Sequence, residues 1–234
     1  MDLTTGAVTG VEALARWQHP IRGILSPYEF IALAEDTGLI VGLGLAVLVK
    51  ACHQAQDWHE QLGTASPIVH VNLSARQLTA SNLPTLVEGV LVGTGLPAAK
   101  LCLEITESVL MDDAASVIDT LWALKGIGVS LAIDDFGTGY SSLSYLRRFP
   151  VDVLKVDQSF VDGLGPDPED SAIVAAIVNL AATLELDAIA EGVETVEQLE
   201  RLRALGCRSG QGFYFAKPQP ADEITKLLDK PFVI

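Results

Sequence analysis

The sequence predicts an α/β fold in which a parallel sheet closes into a (β/α)8, TIM-like barrel. Three observations predict it. Short β-rich runs alternate with longer helical segments along all 234 residues, the pattern of parallel strands joined by crossover helices. Seven such strands can be counted, and every one delivers a polar residue at or just past its end: Glu12, Asn72, Glu104, Asp134, Lys155, Glu191 and Gln211. A barrel builds its site this way, at one end of successive strands, whereas an open doubly wound sheet draws mainly on strands near its switch point. Seven contributions favour the closed ring, although a closed ring of this type has eight strands.

Taken in order, Val8-Thr9-Gly10-Val11 is the first β-rich run and leads into Glu12-Ala13-Leu14. Arg16-Trp17-Gln18-His19-Pro20 and Gly23 read as a loop. Ser26-Pro27-Tyr28-Glu29 has the form of a capping box with proline in the first turn, so a helix is expected to about Asp36, ended by Gly38. A longer helix follows from about Gly42 to Leu62, then the strand Ile68–Asn72. Helical segments reach about Thr94, where Gly93 and Gly95-Leu96-Pro97 stop them. Leu101–Ile105 is the next strand, Asp113–Lys125 a helix with Val117, Leu121 and Leu124 on one face, and Val129–Ile133 a buried strand.

A short helix is expected over Ser141–Arg147, then a strand at Val151–Val156 and a loop at Gly163–Pro168. A helix over Ser171–Leu184 precedes the strand Ala188–Ala190. Thr195, with Gln198 three residues on, caps a helix over Val196–Leu205. Ser209–Phe215 holds the last strand and Asp222–Leu228 a closing helix. No repeat, low-complexity run or long linker divides the chain, so residues 1–234 are expected to form one domain.

Composition narrows the function. Apolar residues make up 49% and charged residues 19%, enough for a large core. A net charge of −15 argues against a DNA or RNA polymer as partner, since phosphate-binding proteins are usually basic. A small phosphodiester stays open if cations supply the positive charge. Cys52, Cys102 and Cys207 are odd in number and lack CxxC spacing, which suits reduced thiols in core packing, a cytoplasmic setting and no zinc site. The N-terminus lacks signal-peptide features, and the greasiest stretch, Leu39–Val49, is too short to span a bilayer, so no direct membrane insertion is expected.

The stretch Asp134-Asp135-Phe136-Gly137-Thr138-Gly139-Tyr140 carries the chemistry. Two carboxylates follow the strand ending at Ile133, and two glycines free the loop behind them. An Asp-Asp pair opening a turn is common in itself. Here four carboxylates from separate strands, an asparagine and a lysine converge if the barrel closes. Such acids would raise one another's pKa unless cations neutralised them. Oxygen donors without a histidine cluster favour hard divalent ions over zinc. Two such ions are the usual device for in-line phosphodiester hydrolysis. His19, His53, His59 and His70 read as non-ligands.

These residues also carry a resemblance. Gly10-Val11-Glu12-Ala13-Leu14-Ala15-Arg16-Trp17 resembles the signature of the EAL family of cyclic di-GMP phosphodiesterases. Six further blocks follow in order: Val71–Ser74, Glu104–Glu107, Asp134–Leu143, Lys155–Asp157, Glu191–Thr195 and Gln211–Phe215. The resemblance spans nearly the whole chain. It implies hydrolysis of cyclic di-GMP to linear pGpG by attack of a hydroxide, with two Mg2+ or Mn2+ ions as cofactors. By the family pattern, Glu12, Asn72, Glu104 and Asp134 hold one ion, Asp134 bridges to a second held with Asp135, and Glu191 serves that second ion or its water. Lys155 orients the hydroxide. Glu107 and Glu194 anchor the loop after Asp135, Asp157 and Gln211 support the second-metal side, and Arg16 meets a substrate phosphate. Lys155, Glu191 and Glu107 thus form the catalytic group, and Arg16, Asp157, Gln211 and Glu194 the substrate side.

The resemblance further implies a homodimer, through Ser141–Arg147 and Ser171–Leu184, and flanking GGDEF or sensor domains in a longer parent for which membrane anchoring stays open. It also implies a helix and a first strand ahead of Met1, which the seven-strand count lacks. The strand at Val8–Leu14 is therefore expected to expose an edge, so that a version extended at the N-terminus melts higher, or else a dimer or strand exchange fills the gap. A non-catalytic cyclic di-GMP receptor and a two-metal barrel for another phosphodiester are the alternatives. Trp17 and Trp58 are expected to pack, Trp122 to sit in a helix–barrel seam, and Asp152 and Asp162 to be solvated. Arg208 stands where the family often has an acid.

Overall fold

Alternation along each strand decides which way the sheet faces. Val69, Val71, Leu101, Leu103, Ile105, Leu131, Ile133, Leu154 and Val156 point outward into the main core, beneath the helices. Residues of the other parity, among them Cys102, Ala132 and Val153 with Ile68 and Ile189, form a second small cluster inside the sheet's curl. A strand buried on both faces needs such near-continuous apolar sequence, which is why these runs scarcely alternate in polarity. The computed structural model describes residues 1–112, 114–139, 146–165, 168–228 and 232.

Seven strands form one parallel sheet in the order β1 (Gly10–Glu12), β4 (Ile68–Asn72), β5 (Leu101–Thr106), β6 (Ser130–Phe136), β7 (Val153–Val156), β8 (Asp187–Ala190) and β9 (Ser209–Gly210). They curl into a barrel-like arc, and the expected strands are all present. Two more strands were read from sequence as loop: β2 (Trp17–His19) and β3 (Gly23–Leu25) make an antiparallel hairpin. His19 Nδ1 accepts the backbone N–H groups of Ile21 and Arg22 and so fixes its turn.

The helices are α1 (Ile31–Thr37), α2 (Ile40–Leu62), α3 (Ala75–Leu78), α4 (Leu83–Thr94), α5 (Glu107–Asp112), α6 (Ala114–Ile127), α7 (Gln158–Asp162), α8 (Pro168–Thr183), α9 (Val196–Ala204) and α10 (Ala221–Leu228). On α2, Leu48, Ala51, Cys52, Ala55 and Trp58 are buried at helical spacing. The Thr195–Gln198 capping box forms as expected, and Ser74–Gln77 forms a second one. Among the described residues, no helix is long and apolar enough to cross a membrane.

Some sequence expectations are corrected. Ser26 makes no side-chain cap, and a 3-10 turn over Pro27–Glu29 precedes α1; Glu29 instead pairs with Arg22. Trp122 is 58% exposed rather than seated in a seam. Asp152 is not free in solvent: its carboxylate binds Lys125 Nζ at 2.8 and 2.9 Å and accepts Leu131 N–H at 2.8 Å. Trp58 packs as expected and donates Nε1–H to Thr225 Oγ1 at 2.8 Å, tying α2 to α10. All three cysteines are buried and free. The helix expected over 141–147 falls largely outside the described residues.

The sheet's two outer strands are β1 and β9. Met1–Leu3 lies antiparallel along β9: the Met1 amino group donates to Gly210 O, Gly210 N to Met1 O and Leu3 N to Arg208 O, at 2.8 to 3.0 Å. Leu3 is fully buried there. Beside β1, a cleft of about 1490 Å³ runs between α2 and α10, walled by Val47, Ala51, Ile224 and Leu227. The exposed edge expected at β1 is this cleft, and it continues upward to Glu12, Glu191 and Gln211.

Candidate active site

At the C-terminal end of the sheet, the inward parity turns from apolar to ionisable. Two residues beyond Cys102, Ala132 and Val153 stand Glu104, Asp134 and Lys155, all buried. Lys155 is the centre of the group and only 1% exposed. Its Nζ lies 2.7 Å from Glu191 Oε1, 2.9 Å from Glu104 Oε2, 3.0 Å from Asp134 Oδ1 and 3.9 Å from Glu12 Oε2. The amides complete the ring. Asn72 Nδ2 donates to Glu12 Oε1 at 2.8 Å, and Gln211 Nε2 donates to Glu12 Oε2 at 3.0 Å and Glu191 Oε1 at 2.7 Å. All seven polar residues predicted at strand ends therefore meet.

Asp135 reaches the group through a backbone irregularity. The β6–β7 register shifts between Ile133 and Phe136, and Asp135 sits at φ 54°, a region costly for a residue with a Cβ. This turn keeps consecutive aspartates on one site where a regular strand would send them to opposite faces. The loop behind them is held from below by α5. Glu107, buried at the helix start, accepts Gly137 N–H at 2.9 Å, and a Cβ at Gly139 would lie 2.8 Å from its Oε1. Asp157 caps α7 by accepting Ser159 N–H at 3.0 Å and stands beside Asp135.

Charge is unevenly tolerated. Burial opposes ionisation of Glu104, but a hydrogen bond from His70 and the Lys155 charge outweigh it and hold its pKa below the usual value. Burial pushes Asp134 up to about 6 and Glu191 up to about 8, against the pull of Lys155 and with added repulsion from neighbouring acids. Asp135 is also raised, by burial and by Asp157. Burial alone would lower Lys155, yet Glu104, Glu12, Glu191 and Asp134 hold its pKa well above the ordinary range. One ammonium thus leaves this carboxylate set short of positive charge.

The residues present fit hard divalent cations. Oxygens of Asp134, Asp135 and Glu191 lie within 4.8 Å of one another. Glu104 Oε2 is buried and makes no hydrogen bond of good geometry, despite Lys155 Nζ at 2.9 Å. Every donor is an oxygen, as such ions require.

Two predicted residues are not brought in. Arg16 is exposed and its guanidinium donates to Ala15 O, at the wall of the cleft. Glu194 is exposed; among the described residues its backbone N–H donates to Gln198 Oε1, and no bond joins its carboxylate to the described part of the loop. His70, a non-ligand by its sequence, has a place the sequence reading misses: its Nδ1–H donates to the Glu104 carboxylate, at 2.8 Å from Oε1. Its parity, two residues before Asn72 on β4, was the available signal.

A parallel barrel-like sheet with a carboxylate rim around one lysine defines an α/β-barrel protein suited to divalent cations at its C-terminal end. More particularly, the chain belongs to the EAL domain family, which it matches over residues 1–218. It is 48% identical over 219 residues to the bifunctional diguanylate cyclase/cyclic di-GMP phosphodiesterase MucR of Pseudomonas aeruginosa, covering 94% of this chain and 32% of that protein. It is 41% identical to the oxygen sensor protein DosP of Escherichia coli, covering 94% and 27%. A solved structure described as the PaMucR phosphodiesterase in complex with c-di-GMP superposes with a TM-score of 0.88 at 48% identity, covering 92% of this chain and 87% of that one. The chain spans only 32% and 27% of the length of these two curated relatives.

Proposed function

We propose that this domain hydrolyses one phosphodiester of cyclic di-GMP to give linear pGpG, using two Mg2+ or Mn2+ ions. The observation that carries the proposal is the buried Lys155 ammonium among four carboxylates, beside the Asp134–Asp135–Glu191 oxygen group. MucR supplies the substrate by likeness. Glu12, Asn72, Glu104 and Asp134 would hold one ion, and Asp134, Asp135 and Glu191 the other. When bound, the ions supply Lewis-acid charge and a nucleophile usable at neutral pH.

The chain's own residues do the rest. Lys155, held protonated in the metal-free site by the carboxylates around it, would donate a hydrogen bond that orients the attacking hydroxide or a phosphate oxygen. Gln211 ties Glu12 to Glu191 and so fixes the width of the rim. Glu107 couples the loop after Asp135 to β5 and α5. The rim opens into the cleft beside β1, and Arg16, which lines that cleft, would meet a substrate phosphate. Asp157 supports Asp135, and Glu194 is kept as a weaker substrate-side candidate.

Flanking regulatory domains are part of the proposal, a reading that the greater length of the relatives supports. A homodimer through α8 and the neighbouring 141–147 segment, and a cytoplasmic setting that keeps Cys52, Cys102 and Cys207 reduced, complete the proposal. Chromatography of cyclic di-GMP incubated with the domain tests it. Production of pGpG in Mg2+ or Mn2+, none in chelator and none in Glu12→Ala is expected. Tight binding without any cleavage would replace it with the receptor reading.

A further inference from the structure

We propose that His70 is a positioning residue for the metal site: its Nδ1–H pins one oxygen of Glu104 so that the other faces Lys155 and the divalent ion. The inference rests on the metal reading above and adds a residue to it.

The geometry is local and specific. His70 points into the barrel from β4, where it pairs with Glu12 on one side and Cys102 on the other. The Glu104 carboxylate is one inward step higher on the next strand, opposite Asn72. Nδ1 and Oε1 are 2.8 Å apart, with side-chain exposures of 11% and 0%. An ionised carboxylate can only accept, so Nδ1 carries the hydrogen. The ring is seated by a glycine: a Cβ at Gly10 would lie 3.1 Å from His70 Nε2 and 3.3 Å from Cδ2. A side chain there would make the imidazole give way by a few tenths of an ångström. Small Cys102 and Ala132 leave the interior room that a ring needs.

Why a carboxylate needs such a partner follows from its torsion. The terminal torsion of a glutamate is broad and soft, so its two oxygens are not fixed by the rotamer alone. Nor can Glu104 swing to solvent, being fully enclosed. With Oε1 held by His70, Oε2 is the oxygen left without a well-formed hydrogen bond, on the side of Lys155 and Asp134. Removing the pin would let the plane turn, and the ion would lose a prealigned ligand. Outer partners of metal ligands act in this manner.

The test compares His70→Phe, which keeps a ring without the donor, with His70→Asn, whose amide can donate from near the Nδ1 position. Mn2+ affinity is read by electron paramagnetic resonance without substrate, with melting curves in chelator and kcat and KM for cyclic di-GMP across Mn2+ concentrations. For His70→Phe we expect a folded protein whose Mn2+ affinity falls about 10–100-fold. Its kcat should recover as Mn2+ is raised, with KM for cyclic di-GMP unchanged. His70→Asn should restore most of the affinity. Should phenylalanine prevent folding, His70→Leu carries the same comparison. Wild-type Mn2+ affinity in His70→Phe, or equal loss in the phenylalanine and asparagine variants, would overturn the role of His70 alone. A wild-type domain that takes up no Mn2+ would overturn the metal reading and this inference with it.

Discussion

Two layers of the barrel interior, separated by two residues along the same strands, have opposite characters. On β5 to β8 the lower layer is Cys102, Ala132, Val153 and Ile189, apolar and small enough to fill the curl, with His70 level with Cys102 on β4. The upper layer replaces the four apolar residues with Glu104, Asp134, Lys155 and Glu191, and carries Asn72 above His70. Helical cover and backbone geometry are shared, so the change is not a demand of the fold. Burying acids is costly unless they are paired. A sequence tuned for stability alone would continue the lower layer upward. The upper layer is kept for chemistry, and Lys155 is what makes it tolerable in the absence of ions.

Removing that lysine should break the comparison hardest. Lys155→Met is expected to lower turnover at least about 10²–10³-fold, by loss of a donor at the reacting oxygens. In chelator it should also lose about 3–5 kcal/mol of stability, because buried carboxylates are left uncompensated. Added Mn2+ should restore the melting temperature but not turnover. Denaturant melts with and without metal, beside the pGpG assay, check both halves.

The pH profile sharpens it next. Asp134 and Glu191 titrate near 6 and 8 in the folded chain, above their unfolded values. Between about pH 4 and 8 the native state therefore binds more protons than the unfolded one, and stability falls as pH rises through those folded values. Glu104 is shifted the other way, so its contribution is lost only as pH falls through its lowered pKa, below this window. In chelator the melting temperature should drop by about 5 °C or more between pH 5.5 and 8.5. With Mg2+ present, ions take the place of those protons and the slope should flatten. An unchanged slope in metal would mean that these acids are not the ligands.

The lower layer should answer differently. Ala132→Leu overfills it and is expected to cost about 1–3 kcal/mol in a chemical melt. The kcat of the remaining folded protein should hardly move. The smallest effect expected is a gain: Asp135→Gly relieves the positive φ and should stabilise the chelated protein by about 1 kcal/mol, while turnover is lost with the ligand. Differential scanning calorimetry resolves that shift.

Much of this was legible in the sequence because it obeys a period of two. Once the strands were counted, a polar residue at each C-terminal end placed Glu12, Asn72, Glu104, Asp134, Lys155, Glu191 and Gln211 at one rim, and the structure joins all seven. What the sequence concealed depends on contacts made across the fold. The β2–β3 hairpin was hidden because Gln18, His19 and Pro20 read as loop, while its turn is closed by the His19 ring. Ser26 matches a capping box in pattern, but Glu29 is drawn to Arg22 instead. His70 was passed over because no single-residue rule marks a histidine whose partner lies on the next strand, 34 positions away. Arg16 and Glu194 carry the family's residue types, yet their side chains stand outside the joined group.

Anomalous diffraction from crystals of the domain grown with Mn2+ tests the central claim most directly, namely that the upper layer is a cation site. The account predicts one peak among Asp134, Asp135 and Glu191 and a second reached by Glu12, Asn72, Glu104 and Asp134. Mn2+ bound elsewhere on this acidic surface, with Lys155 still filling the rim at saturating metal, would contradict it.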